Sequence, residues 1–211
     1  ERGGDIAIAL DVPFSEMVFG STRSVTLEKT SFCERCKGSG GEQGSAIAQC
    51  STCQGKGRIR ETRKSFFGSV STTAVCSICK GRGEIPEKVC SMCRGSGTTR
   101  KQETISIEIP AGIHDGEAIK LTGKGEAVAG GISGDLYVKI HVIVHPVFHR
   151  EGSDLIMDIA LIPSKLLRGG EEIVETLDGK ISIKIPELSK NGDLLRVRGK
   201  GIQKQTEAFQ K

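Results

Sequence analysis

At 211 residues the chain has room for one large domain or two to three small ones. Its net charge of +4 comes from 30 basic and 26 acidic groups that are interleaved, so no block of one sign argues for nucleic acid or a membrane surface. There is no Trp and only one Tyr, so any core rests on Ile, Val and Leu, and no apolar run approaches the ~20 residues of a membrane-spanning helix.

The first element is a strand, because Ile6, Ile8, Leu10 and Val12 alternate with other residues. Ser15 to Phe19 predicts a short helix, with Ser15 as its N-cap and Gly20 beyond its end. After the cysteine-rich middle the alternation returns at Ile105, Ile107 and Ile109, and again from Leu136 through Val138, Ile140 and Val142 to Val144. Leu155, Met157, Ile159 and Leu161 predict a further strand, Pro163 to Arg168 a second short helix closed by Gly169-Gly170, and Ile181, Ile183 and Ile185 a last strand. Thr176-Leu-Asp-Gly-Lys180 carries an Asp-Gly hairpin signal.

All eight cysteines fall in four copies of one motif: Cys33-Glu-Arg-Cys36-Lys-Gly38-Ser-Gly40, Cys50-Ser-Thr-Cys53-Gln-Gly55-Lys-Gly57, Cys76-Ser-Ile-Cys79-Lys-Gly81-Arg-Gly83 and Cys90-Ser-Met-Cys93-Arg-Gly95-Ser-Gly97. Two residues between cysteines let a tight turn aim both sulfurs at one metal. Two such pairs complete the tetrahedral shell of one Zn²⁺, so four pairs predict two Cys₄ sites. Glycine after each pair permits positive φ and turns backbone N–H groups toward sulfur. In a reducing compartment this pattern reads as metal binding rather than as disulfides. The gaps between pairs, 13, 22 and 10 residues, leave the pairing open. Nested pairing puts Cys33, Cys36, Cys90 and Cys93 on one ion and Cys50, Cys53, Cys76 and Cys79 on the other; sequential pairing joins neighbouring motifs instead. A closed Cys₄ shell leaves no position for water, which disfavours hydrolytic zinc chemistry. Arg35, Lys37, Lys80, Arg82 and Arg94 can offset its negative charge.

The chain also repeats itself. Ile105-Ser-Ile-Glu-Ile-Pro110 returns as Ile181-Ser-Ile-Lys-Ile-Pro186, and Gly123-Lys-Gly125 as Gly199-Lys-Gly201, each 76 residues on. Asp5-Ile-Ala-Ile-Ala-Leu10 resembles Asp154-Leu-Ile-Met-Asp-Ile159, 149 residues on. The first copy therefore holds about 73 residues that the second lacks, and the cysteine span 33–97 lies between the matched blocks. The expected architecture is mostly β: two homologous β-sandwich-like domains, with a two-zinc, cysteine-rich β-hairpin module inserted in the first. The domains run 1–30 with 104–149, 31–103, and 150–211. The counterpart of the strand from Asp135 would begin near Lys211, so the second domain is expected to be incomplete, with an unpaired edge open to another chain.

These motifs resemble the type I, DnaJ-like J-domain co-chaperones, from just after their glycine/phenylalanine-rich linker onward. Further matching stretches are Ile109-Pro-Ala-Gly-Ile-His-Asp-Gly116, Gly134-Asp-Leu-Tyr-Val138, His145-Pro-Val-Phe-His-Arg-Glu-Gly-Ser-Asp-Leu155, Thr176-Leu-Asp-Gly179 and Arg198-Gly-Lys-Gly201. The resemblance implies a non-enzymatic, cytoplasmic chaperone part that binds unfolded client polypeptides and presents them to a DnaK-type ATP-driven chaperone. It implies the nested zinc pairing and two Zn²⁺ ions. It implies a client groove lined by Ile6, Val25, Leu27, Ile105 and Val138, where an extended peptide adds to a sheet edge; the plain alternative makes all five ordinary core residues. The J domain's His-Pro-Asp motif does not occur, His145-Pro146-Val147 being a different sequence. The resemblance implies a homodimer for the full-length family; its C-terminal dimerisation segment is not among the matched stretches, so the homodimer is not expected of this stretch by itself. Pro186-Glu-Leu-Ser-Lys-Asn-Gly192 departs from the family's Pro-x-Gly-Thr-Gln-x-Gly loop.

Other readings have less behind them. Free C-x-x-C pairs can exchange disulfides, but a thioredoxin-like context is missing. Arg58, Arg60, Arg63 and Lys64 would suit a zinc-ribbon nucleic-acid binder, but Glu61 interrupts them, and a solvated hairpin face accounts for them. His141, His145 and His149 are spaced by four, yet Pro146 breaks the helix that such ligation needs. Phe66-Phe67 is a candidate exposed contact at the hairpin tip.

Overall fold

The computed structural model describes residues 2–65 and 68–202, so Phe66, Phe67 and the tail 203–211 lie outside the described residues, as do the side chains of 61–71. Along the chain come β1 (Ile6–Pro13), α1 (Phe14–Phe19), β2 (Ser21–Phe32), β3 (Ile47–Gln49), β4 (Arg58–Ser65), β5 (Gly68–Val75), β6 (Glu84–Pro86), β7 (Thr98–Ile109), β8 (Ala118–Leu121), β9 (Leu136–Ile143), β10 (Phe148–Glu151), β11 (Asp154–Met157), α2 (Pro163–Arg168), β12 (Gly170–Thr176) and β13 (Gly179–Ile185). The protein is mostly β, as the period-two alternation predicts. One three-stranded sheet has the order β1-β9-β8, and the remaining strands pair as β2-β7, β3-β6, β4-β5, β10-β11 and β12-β13. No described helix is long and apolar enough to cross a membrane.

The chain divides into two compact units. The first comprises Glu1–Ile8, Thr26–Ile105 and Lys120–Val138, and it holds the cysteine motifs. Here the strands nest. The β2-β7 ribbon carries the module, with Thr26 Oγ1 2.9 Å from Thr104 Oγ1 across it and Cys33 N donating to Gly97 O at 3.0 Å where the ribbon ends. Next come β3 and β6, paired from Ile47 opposite Pro86, and last β4 and β5, paired from Arg58 opposite Val75 to Ser65 opposite Gly68. The module is thus one long hairpin, interrupted twice by cysteine motifs.

Two buried charges anchor this unit, and each is paired, as burial requires. Lys29 donates to the carbonyls of Lys124 and Gly125 and lies 3.3 Å from Glu103. Asp135 accepts from Gly123 N and pairs with Arg2 at 2.6 Å and Lys120 at 2.9 Å. The Gly123 amide and Lys120 hold its carboxyl down to about 2 against the opposing effect of burial, and Arg2 adds to them.

The second unit comprises Ala9–Val25, Ser106–Ile119 and Lys139–Lys211. Its buried residues include Val12, Phe14, Met17, Ile107, Ile109 and Ile140. The helix α1 begins at Phe14, with Pro13 in the capping place and no side-chain cap, so Ser15 lies inside the helix rather than at its boundary. Burial of Phe14 sets that start, because an apolar anchor outweighs a cap worth about 1 kcal/mol. Glu16 ties α1 to β2 through Arg23 Nε at 2.8 Å and Ser21 Oγ at 2.6 Å. Arg150 donates to the carbonyls of Gly112 and Ile113, both at 2.9 Å. The hairpin β12-β13 turns through Leu177-Asp178, with Thr176 opposite Gly179.

The second copy departs from the first in its strand arrangement. In the first copy β9 lies between β1 and β8. The counterpart of β1 is β11, and the counterpart of β8 is residues 194–197, which form no strand. Both flank a cavity of about 1000 Å³ in this unit, lined by Leu155, Met157, Val174, Ile181, Ile183 and Leu194 among others.

Candidate metal centres

Each motif folds into the same knuckle. After the second cysteine comes a residue with left-handed backbone, Lys37, Gln54, Lys80 or Arg94, at φ between +49° and +51°. The two glycines that follow also have positive φ. This tight turn brings the amide of the second glycine onto the second cysteine's sulfur: Gly40 N to Cys36 Sγ at 3.3 Å, Gly57 N to Cys53 Sγ at 3.2 Å, Gly83 N to Cys79 Sγ at 3.2 Å and Gly97 N to Cys93 Sγ at 3.3 Å. Such N–H···S bonds stabilise a thiolate and orient it.

The knuckles meet in reciprocal pairs. Cys33 N donates to Gly97 O and Cys90 N to Gly40 O, both at 3.0 Å. Cys50 N donates to Gly83 O at 2.8 Å and Cys76 N to Gly57 O at 2.9 Å. The second glycine of each motif lies against the first glycine of its partner. A Cβ on Gly57 would sit 2.2 Å from Gly81 O, and one on Gly83 would sit 2.3 Å from Gly55 O. The same holds for Gly97 against Gly38 O at 2.4 Å and Gly40 against Gly95 O at 2.6 Å. The motif needs its second glycine for this close approach of two backbones. The reciprocity has one signal in the sequence, the glycine at a fixed place in all four copies.

The sulfurs therefore gather in nested order. Cys33, Cys36, Cys90 and Cys93 form an outer cluster at the β2-β7 ribbon, and Cys50, Cys53, Cys76 and Cys79 form an inner one between β3-β6 and β4-β5. All eight are buried and free. Within each cluster the sulfurs lie within 4.8 Å of one another. Cys33–Cys90 and Cys50–Cys76 are 3.9 Å apart, and Cys36–Cys93 and Cys53–Cys79 are 3.6 Å apart. A disulfide needs about 2.05 Å. A tetrahedral Zn²⁺ with Zn–S bonds of about 2.3 Å sets its sulfurs roughly 3.8 Å apart. The donor set, its spacing and its N–H bonds fit that ion. No other grouping of three or more Cys, His, Asp or Glu with metal-like geometry occurs among the described residues.

Proton affinity is uneven within each cluster. Burial pushes Cys36 and Cys53 up to about 11. Cys93 is held down to about 6 despite burial, by the Gly97 amide and the thiols of Cys36 and Cys90. The Cys53 amide lowers Cys50 to about 7. The basic residues near the motifs divide their roles. Arg35 pairs with Glu42 and donates to Ser91 Oγ at 2.8 Å. Arg82 reaches the outer cluster from the inner one.

The other candidate residues lie elsewhere. Ile105 and Val138 are buried, while Ile6, Val25 and Leu27 are half-buried on β1 and β2. The three histidines share no site: His141 Nδ1 lies 3.1 Å from Asp115, His145 Nδ1 accepts from the amides of Val147 and Phe148, and His149 lies 4.0 Å from Glu151.

Comparison with known proteins gives the family. The family model described as the DnaJ C terminal domain matches residues 6–211. The chain is 40% identical over 204 residues to the "Chaperone protein DnaJ" of Clostridium beijerinckii, covering 96% of this chain and 54% of that protein. The protein of the same name from Clostridium botulinum strain Alaska E43 is 40% identical over 202 residues, covering 95% and 54%. That from Fusobacterium nucleatum subsp. polymorphum is 38% identical over 204 residues, covering 96% and 52%. The chain thus spans about half the length of the curated relatives it matches. With its paired knuckles and a match running from β1 to the end, this chain belongs to the DnaJ C-terminal domain family.

Proposed function

We propose that the chain is the client-holding part of a DnaJ-type co-chaperone: it binds unfolded polypeptides and presents them to a DnaK-type ATP-driven chaperone, without catalysing a reaction. The observation that carries this reading is the two buried four-sulfur clusters, at tetrahedral spacing on one hairpin, in a chain matched almost end to end by DnaJ relatives. Cys33, Cys36, Cys90 and Cys93 hold one Zn²⁺, and Cys50, Cys53, Cys76 and Cys79 hold the other. The ions supply folding energy to a module with few apolar residues. Residues 1–30 with 104–149 form the client-binding β domain, 31–103 the zinc module and 150–211 the second β domain. Clients add as an extended strand, main-chain bonds giving affinity and apolar positions selectivity. Half-buried Ile6, Val25 and Leu27, with buried Ile105 and Val138, make up that apolar face.

The test joins metal analysis to holdase activity. Two zinc ions per chain, together with suppressed aggregation of a chemically denatured client, are expected. Metal-free protein with its sulfurs oxidised to cystines, and no suppression, overturns the proposal.

A further inference from the structure

We infer that Arg82 is a positioning residue that couples the two metal centres, so that the outer one binds its ion tightly only when the inner one is formed. The inference rests on the reading that both clusters hold metal.

Arg82 lies between Gly81 and Gly83, in the knuckle of the inner cluster. Its backbone N–H donates to Cys79 O at 3.1 Å, which fixes the residue to an inner ligand. Its guanidinium spans the two clusters, with Nε still 3.4 Å from Cys79 O and the two terminal nitrogens reaching the outer one. Nη1 donates to Ser39 O at 2.7 Å and Nη2 to Gly95 O at 2.6 Å. Ser39 and Gly95 belong to the two motifs of the outer cluster, so one planar fork joins both outer knuckles.

The chemistry continues through the peptide plane. Ser39 C=O and Gly40 N–H belong to one peptide unit, and that N–H is the donor to Cys36 Sγ. A cation on the carbonyl polarises the unit and strengthens its N–H as a donor. Likewise the unit beginning at Gly95 C=O sends its N–H, that of Ser96, to Cys93 O at 3.1 Å. Arg82 thus sets the orientation of groups that in turn orient the outer sulfurs, without touching them. Space is matched to it as well. A Cβ on Gly40 would lie 2.1 Å from Arg82 Nη1, and one on Gly130, in the loop between β8 and β9, would lie 3.4 Å from its Cγ. The corresponding residues of the other motifs, Ser39, Lys56 and Ser96, include no second arginine.

When the inner knuckle is unformed, Arg82 loses its anchor at Cys79, and the outer knuckles lose their clasp. By linkage the effect is reciprocal. Loss of an outer-shell partner of this kind typically costs 10–100-fold in metal affinity.

The experiment is competition between the zinc-loaded protein and a chelator of known affinity, with cobalt substitution to follow thiolate-to-metal charge transfer. In the unaltered protein both ions are expected to leave in overlapping steps. In Arg82→Ala the two ions are expected to leave independently, the outer one at a chelator activity about tenfold lower, and the inner one, once the outer site is empty, as in the unaltered protein. Arg82→Lys keeps the charge but lacks the fork, and is expected to fall between the two. A cycle completes the test. Removing the inner site with Cys50→Ser and Cys53→Ser should weaken the outer site in the arginine background and leave it unchanged in the alanine background. Equal weakening in both backgrounds, or an outer site indifferent to Arg82→Ala, overturns the inference while the metal reading stands. Failure of the unaltered protein to bind metal overturns that reading instead.

Discussion

Gly112 and Leu188 occupy the same station in the two copies of the repeat. They lie 76 residues apart, and both have left-handed backbone, at φ +81° and +62°. Each sends its amide to a carbonyl of the short helix in its own copy, Gly112 to Met17 O at 2.7 Å and Leu188 to Leu167 O at 3.4 Å. Glycine takes this conformation freely, whereas a residue with a Cβ pays roughly 1–2 kcal/mol. The Leu188 side chain is 73% exposed and returns little of that through burial. Leu188→Gly is therefore expected to stabilise the fold by about 0.5–1 kcal/mol after the entropic penalty of glycine. The check is the denaturant midpoint. An unchanged or lower midpoint contradicts the account.

Asp135 gives stability a pH dependence. Its folded pKa of about 2 lies below the unfolded value of about 3.9. The charged form is thus the stabilising one. Its contribution is full above about pH 4 and is lost as pH falls through the folded value. Asp135→Asn should flatten this acid limb and leave the neutral-to-alkaline profile in place. Urea midpoints taken from pH 7 down to pH 2 will show whether the limb moves.

The reciprocal glycines separate the two centres genetically. Gly57→Ala places a Cβ 2.2 Å from Gly81 O at a backbone φ of +69°, where neither chain can yield cheaply. The inner ion should be lost and the outer one weakened but retained. One equivalent of metal is the expected analysis. Two equivalents at wild-type affinity contradict the packing argument.

Metal removal should act on one part of the chain. The motifs bury little besides sulfur, so chelation is expected to open residues 33–97 to protease while the β12-β13 hairpin and its neighbours keep their protection. Hydrogen exchange before and after chelation reads both regions in one experiment. Uniform protection in both states speaks against metal-driven folding of the module.

Leu27 tests the client face. It is half-buried on β2, two residues before buried Lys29. Leu27→Ser should lower affinity for an unfolded client several-fold, with metal content and unfolding midpoint nearly unchanged. A collapse of the midpoint assigns Leu27 to the core instead.

How much of this was legible beforehand varies by element. The strand over Ile105, Ile107 and Ile109 was plain, because a half-buried strand writes its period into the residues themselves. Ser15 satisfies the local capping rule, yet α1 starts at Phe14, because the burial of Phe14 depends on contacts distant in sequence. The Asp-Gly hairpin was found, yet its turn runs through Leu177-Asp178, a register that the pairing of β12 with β13 sets.

The order of the cysteines by itself determined that two four-thiolate sites were available, since ligand type and short-range spacing are local properties of the chain. It left open which knuckle faces which. Only the tertiary structure decided that, by bringing the backbones of Gly57 and Gly81, and of Gly97 and Gly38, into a contact that admits no side chain. It also decided the partners of Arg82, Lys29 and Asp135. A polar side chain chooses its partners by distance in space, and spacing along the chain does not record that distance.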